Sequence, residues 1–147
     1  SIFGKGRDNA RTPMQWDSSD NAGFTSGEPW IKVNPNYTDI HAQDNLNNPE
    51  SIFHHYRKLI QLRKDHEVIV YGDYELVFPD DPEVFAYTRT LNGTKVLVVC
   101  NFKGNMVELS LQEHLAETNQ LLISNYAGEL PLNELRPYEA RMYLMHA

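Results

Sequence analysis

Apolar positions follow no period along the first 47 residues. Gly4, Gly6, Pro13, Gly23, Gly27, Pro29 and Pro35 interrupt the run, and the intervening Asn and Asp supply turn chemistry. Met14, Trp16, Phe24, Trp30, Ile31 and Val33 are nevertheless too apolar for a free linker, so this long loop is expected to pack against something. A three/four spacing then begins. Ile52, Phe53, Tyr56, Leu59, Ile60 and Arg63 fall on one stripe, with Arg57 and Lys58 on the other side. Asn48 is the candidate N-cap, Pro49 suits the first helical position, Glu50 sits in the first turn and Lys64 near the end. These features predict an amphipathic helix over 49–65, whose stripe needs a surface to lie on.

From Val68 onward the period becomes two. Tyr74–Phe78, Val84–Thr90, Thr94–Asn101, Met106–Leu111, Gln120–Ser124 and Ala140–Met145 read as strands. Asn92-Gly93 separates the second and third. That pair tolerates positive φ at both central positions, so it predicts a tight hairpin. Asp80-Asp81-Pro82-Glu83 marks another turn. Frequent strands and short connections imply an antiparallel sheet or sandwich of about 80 residues. The chain thus divides into a loop-plus-helix piece, 1–67, and a small β domain, 68–147. Only the second could bury a core alone. No cluster of exposed aromatics is evident in it, so its expected role is structural.

Charge and cysteine content narrow the function classes. Thirteen basic against 20 acidic side chains give −7, which repels phosphate backbones and anionic lipid, so neither nucleic acid nor membrane is an expected partner. Cys100 is the only cysteine and lies in the apolar run Val96-Leu97-Val98-Val99-Cys100, as a buried structural thiol would. No apolar stretch approaches the roughly 20 residues that span a bilayer. No signal-peptide pattern opens the chain. A cytoplasmic setting fits these features.

Candidate chemistry is sparse. Gly4-Lys5-Gly6 lacks the rest of a phosphate loop. His54 and His55 are adjacent, so on a helix they diverge by about 100° and cannot share a metal. No Ser lies in a Gly-x-Ser-x-Gly elbow. No metal and no cofactor is therefore expected. The dense stretch is Arg7-Asp8-Asn9-Ala10-Arg11-Thr12-Pro13-Met14-Gln15-Trp16-Asp17. Its guanidinium forks, amides, carboxylates and indole are the groups that grip sugar hydroxyls and cover a pyranose face. A salt-bridge network bracing a loop fits the same residues, and the residues alone leave both readings open.

This stretch, with Asn21-Ala22-Gly23-Phe24 and Pro29-Trp30-Ile31-Lys32-Val33-Asn34-Pro35-Asn36-Tyr37, closely resembles the late catalytic-domain region of the α-amylase family. Within it, the likeness is to the branch of oligo-1,6-glucosidases, dextran glucosidases and trehalose-6-phosphate hydrolases. Tyr56-Arg57-Lys58-Leu59-Ile60 and Tyr71-Gly72-Asp73-Tyr74 fit as well. The resemblance implies the last loop and helix of a (β/α)8 barrel over 1–67, then a C-terminal antiparallel Greek-key β-sandwich over 68–147. It implies an exo-acting α-glucosidase that hydrolyses α-1,6-linked gluco-oligosaccharides with retention. Trehalose-6-phosphate hydrolysis or another α-glucosidase activity is the nearest rival, and a non-catalytic carbohydrate-binding or structural β domain is the rival from another class. In that family the counterpart of Arg11 pairs with an aspartate and clamps the terminal glucose, and Arg7 would support the same wall. Met14, Trp16 and Trp30 would brace the loop. The nucleophile and acid/base carboxylates belong to earlier barrel loops, so none of these 147 residues is assigned a catalytic role and the chain alone is expected to be inactive. The unpartnered helix stripe would be covered by the β domain or by self-association.

Overall fold

The computed structural model describes residues 10–146. It forms two compact units, Ser1–Arg57 and Lys58–Ala147. In the first unit, turns of 3-10 helix at Asp20–Gly23 and Pro35–Thr38 precede a short helix α1, Ala42–Asn47. Helix α2, Ile52–Asp65, begins in this unit and ends in the second.

The loop expected over 1–47 thus contains elements that no periodicity announced. Asn34 starts the second turn by accepting a hydrogen bond on its side chain from the Asn36 N–H, with Pro35 at the first position. Helix α1 has no side-chain cap. Its leading Ala42 and Gln43 N–H groups instead donate to the carbonyls of Gln15 and Trp16, both at 2.9 Å. Helix α2 starts at Ile52, not at residue 49. Asn48 closes α1, and its side chain takes the Glu50 N–H in a turn. Ser51 does the capping, its hydroxyl accepting from the His54 N–H at 3.4 Å.

In the second unit a third helix α3, Glu67–Tyr71, replaces the strand character expected from Val68. Seven strands follow. They are β1 Asp73–Val77, β2 Val84–Leu91, β3 Thr94–Asn101, β4 Val107–Glu108, β5 Asn119–Ser124, β6 Glu134–Leu135 and β7 Ala140–His146. Strands β1, β2, β3, β7 and β5 form one sheet in that order, and β4 pairs with β6 in a second, with every pairing antiparallel. Strand β7 lies between β3 and β5 although β4, β5 and β6 intervene in the chain. This is the antiparallel sandwich with crossed connections expected from the sequence. The Asn92-Gly93 hairpin forms as expected, with φ of 49° and 80° at its two central residues.

Both faces of the large sheet are used. On one, Val84 and Ala86 of β2 and Val99 of β3 pack with Val107, Leu111 and Leu135 from the second sheet and its flanks. Leu97, Tyr143 and Met145 continue that layer. On the other, Val96, Leu122 and Ile123 pack with Leu62 of α2 and Val68 of α3. Leu97, Leu111 and Leu135 are fully buried, which stabilises by about 1.5–3 kcal/mol for each side chain. Cys100 is only partly buried, and that burial pushes its thiol pKa up, away from reactivity.

A buried ion pair lies within the apolar layer. Glu139 and Arg141 side chains are fully enclosed, and the Arg141 Nε donates to Glu139 Oε2 at 2.6 Å. Arg141 also donates to the carbonyls of Pro131 and Glu134, and Arg136 donates to Glu139 Oε1. Burial pushes the Glu139 carboxyl up, but the hydrogen bonds from Arg141 and Arg136 outweigh it and hold the pKa at about 2.

The expectation of no exposed aromatic cluster in this domain fails. Register brings Tyr74, Tyr87, Phe85 and Phe102 into a row with ring centroids 5.2, 5.8 and 6.1 Å apart. Residues distant in sequence meet there because Tyr74 stands opposite Arg89, beside Tyr87 on the same face.

Candidate functional site

Both candidate sugar-binding arginines lie at the start of the first unit. Arg7 falls outside the described residues. Arg11 is exposed, at a bend just before the buried Pro13. Among the described residues Arg11 enters no ion pair, since the two that occur join Arg136 and Arg141 to Glu139. This part of the structure therefore offers no described salt-bridge partner that would make Arg11 a brace.

The bracing is done by Gln15-Trp16-Asp17. The Trp16 and Asp17 N–H groups both donate to the Ala22 carbonyl, at 2.9 and 3.2 Å. The Gln15 and Trp16 carbonyls accept the leading N–H groups of α1. The Gln15 side-chain amide donates to Asn36 Oδ1 at 3.1 Å and to the Ile40 carbonyl. The Asp17 carboxylate accepts from the Ser19 hydroxyl and from the Ser19 N–H, and these bonds lower its pKa. Three residues are thus tied to six later residues of the chain.

The turn opposite is conformationally demanding. Asn21, Ala22 and Gly23 have φ of 54°, 58° and 67°, and Ala22 is completely buried. Asn21 tolerates this region and its side-chain amide donates to the carbonyls of Thr25 and Gly27. Gly23 has a second requirement, because a Cβ there would lie 2.6 Å from the Asp17 carboxylate. Left-handed backbone at a non-glycine residue costs of order 1–3 kcal/mol and persists only where its surroundings fix it.

The rings of the aromatic residues expected to brace the loop are not buried within the described part of this unit. Trp16 is anchored through its backbone while its ring is half exposed, and Trp30 is 91% exposed. Polar and main-chain bonds replace ring packing inside this unit. Among the described residues no group of three His, Cys, Asp or Glu could hold a metal ion, and no helix is long and apolar enough to cross a membrane. Composition had signalled Gln15 and Asp17 as polar groups of the dense stretch. Their bonding partners, Asn36, Ile40, Ala22 and Ser19, carried no signal.

The described residues thus comprise a loop-and-helix unit with an exposed arginine on a pinned loop, and an antiparallel two-sheet domain. The α-amylase catalytic domain family model matches residues 1–72, and that of the maltogenic amylase C-terminal domain matches residues 74–141. The chain belongs to the α-amylase family. It is 54% identical over 147 residues to an oligo-1,6-glucosidase of Parageobacillus thermoglucosidasius, covering 97% of this chain and 26% of that protein. It is 44% identical over 144 residues to a trehalose-6-phosphate hydrolase of Bacillus subtilis, covering 95% and 26%. The crystal structure of the Bacillus licheniformis trehalose-6-phosphate hydrolase superposes with a TM-score of 0.86 at 43% identity, covering 97% of this chain and 27% of that one. The chain thus spans about a quarter of the length of the curated relatives it matches, 26% of each of these two.

Proposed function

We propose that this chain is the C-terminal part of an exo-acting α-glucosidase that hydrolyses α-1,6-linked gluco-oligosaccharides with retention. The observation that carries it is the 54% identity to an oligo-1,6-glucosidase over nearly the whole chain. In this reading residues 1–67 close the (β/α)8 barrel and contribute its last active-site loop, and residues 68–147 are the terminal β domain. Arg11 binds the non-reducing glucose through its guanidinium fork, and Arg7 supports the same wall. The exposure of Arg11 on a pinned loop suits that role. The nucleophile and the acid/base, carboxylates about 5 Å apart in a retaining enzyme, belong to residues outside these 147. The isolated chain is then inactive, and the intact enzyme works in the cytoplasm on a neutral oligosaccharide.

The same reading leaves the α2 stripe uncovered in the isolated chain. Ile52 is 84% and Tyr56 66% exposed, which favours self-association. A monomeric elution profile across concentrations would contradict that part. A second substrate reading, trehalose 6-phosphate, is favoured by the TM-score of 0.86 to a hydrolase of that compound. The test is turnover by the full-length enzyme on isomaltose, maltose and trehalose 6-phosphate. Preference for isomaltose supports the proposal, preference for trehalose 6-phosphate selects the second reading, and no turnover of any α-glucoside defeats both.

A further inference from the structure

We infer that Gln15 is a positioning residue for Arg11, acting through the pinned loop and not by touching the sugar. The inference rests on the glucosidase reading above and adds to it the residue that sets where the clamp stands. Arg11 itself is exposed and has no ion-pair partner among the described residues, so its reach toward a sugar depends on where the backbone places it. Four residues later, Gln15 is the one side chain of the Gln15-Trp16-Asp17 trio that bonds outside the adjoining turn. Its amide nitrogen donates to Asn36 Oδ1 in one turn and to the Ile40 carbonyl just past it. Its own carbonyl accepts the Ala42 N–H at the head of α1.

Between Arg11 and Gln15 stands the buried Pro13, whose ring fixes its φ and so removes one of the freedoms that could absorb a movement at Gln15 before it reaches Arg11. On the other side, Asp17 and Ser19 hold their own turn locally, and Trp16 is tied only through its main chain. Loss of the Gln15 side-chain amide would therefore release 11–15 from Asn36 and Ile40 while leaving the main-chain bonds to Ala42 and Gln43 and the left-handed Asn21–Gly23 turn intact. A displaced clamp grips the sugar less well in the ground state and the transition state alike, so a partial shift is read in KM.

The variants are Gln15→Met, which keeps length and bulk but removes both donors, and Gln15→Glu, which places an acceptor against the Ile40 carbonyl. They are made in the full-length enzyme and assayed on isomaltose, alone and combined with Arg11→Lys. The expected result is a roughly five- to tenfold rise in KM with kcat within about twofold, as for lost uniform binding. In the Arg11→Lys background the Gln15 effect shrinks to less than about twofold, because a residue acting through Arg11 is coupled to it. Thermal midpoint is followed in parallel, since a purely structural role lowers stability without this coupling. An unchanged KM, or a Gln15 effect that persists in full beside Arg11→Lys, overturns the inference while leaving the glucosidase reading standing. Absence of α-glucoside turnover by the wild type removes both.

Discussion

The two units are held together by different kinds of interaction. Among the described residues of the first unit, Pro13 and Ala22 are the buried apolar side chains, while Met14, Trp16, Phe24, Trp30 and Ile52 are exposed. Its order comes from directed bonds: the Ala22 carbonyl, the Asp17 carboxylate and the Gln15 amide. The second unit buries leucines, valines and a closed ion pair between sheet layers. Each hydrogen bond contributes a net ~1 kcal/mol, whereas each buried leucine contributes about 1.5–3. The first unit is specified in shape but weakly driven to fold, and the second is driven to fold by its own burial.

That contrast can be broken most sharply at the buried charges. Glu139→Ala leaves the Arg141 guanidinium enclosed without its carboxylate and should cost about 3–5 kcal/mol in urea unfolding of the β domain. Leu97→Ala, in the same layer, should cost about 2–5 kcal/mol by the same measurement. Acid should act through Glu139. Its folded pKa of about 2 lies below its ordinary 4.5, so its stabilising contribution is full above about 4.5 and is lost as pH falls toward 2. Glu139→Gln should flatten the dependence of the melting midpoint on pH in that window. Gly93→Ala forces a side chain to φ of 80° in the β2–β3 hairpin and should lower stability by roughly 1–2 kcal/mol, although no atom lies near to clash. Ser51→Ala, which removes the α2 cap in the first unit, should leave the cooperative β-domain transition unmoved. A shift as large as that of Leu97→Ala would show that the units unfold as one.

The sequence was most readable where local chemistry and final structure agree. Thr94–Asn101 carries a run of β-branched and apolar residues and Asn92-Gly93 supplies the turn, so strand and hairpin could be placed before any tertiary contact was known. Glu67–Tyr71 misled because Val68, Ile69 and Val70 favour strands, yet Val68 is buried against Leu62 and Val96 as part of a helix. Of Met106–Leu111 only Val107–Glu108 is strand, since Leu109 and Leu111 bond to Asn133 and Leu132 in irregular backbone. Strand β6 was invisible at two residues. Nothing in Ala140–Met145 marks Arg141 as a buried charge, because the carbonyls of Pro131 and Glu134 that satisfy it come from elsewhere in the chain. In the candidate site the stretch around Arg11 stood out by composition. The ties that hold it depend on Asn36, Ile40 and Ala22, which only the fold brings near.

Amide hydrogen exchange on the 147-residue chain tests the contrast most directly, because it reads the opening free energy of each region separately. The β2, β3 and β7 amides should exchange only through global unfolding, while the Trp16, Asp17, Ala42 and Gln43 amides should exchange far faster through local opening. Equal, near-global protection of Trp16 and Val99 would contradict it and show that the loop unit carries a core of its own.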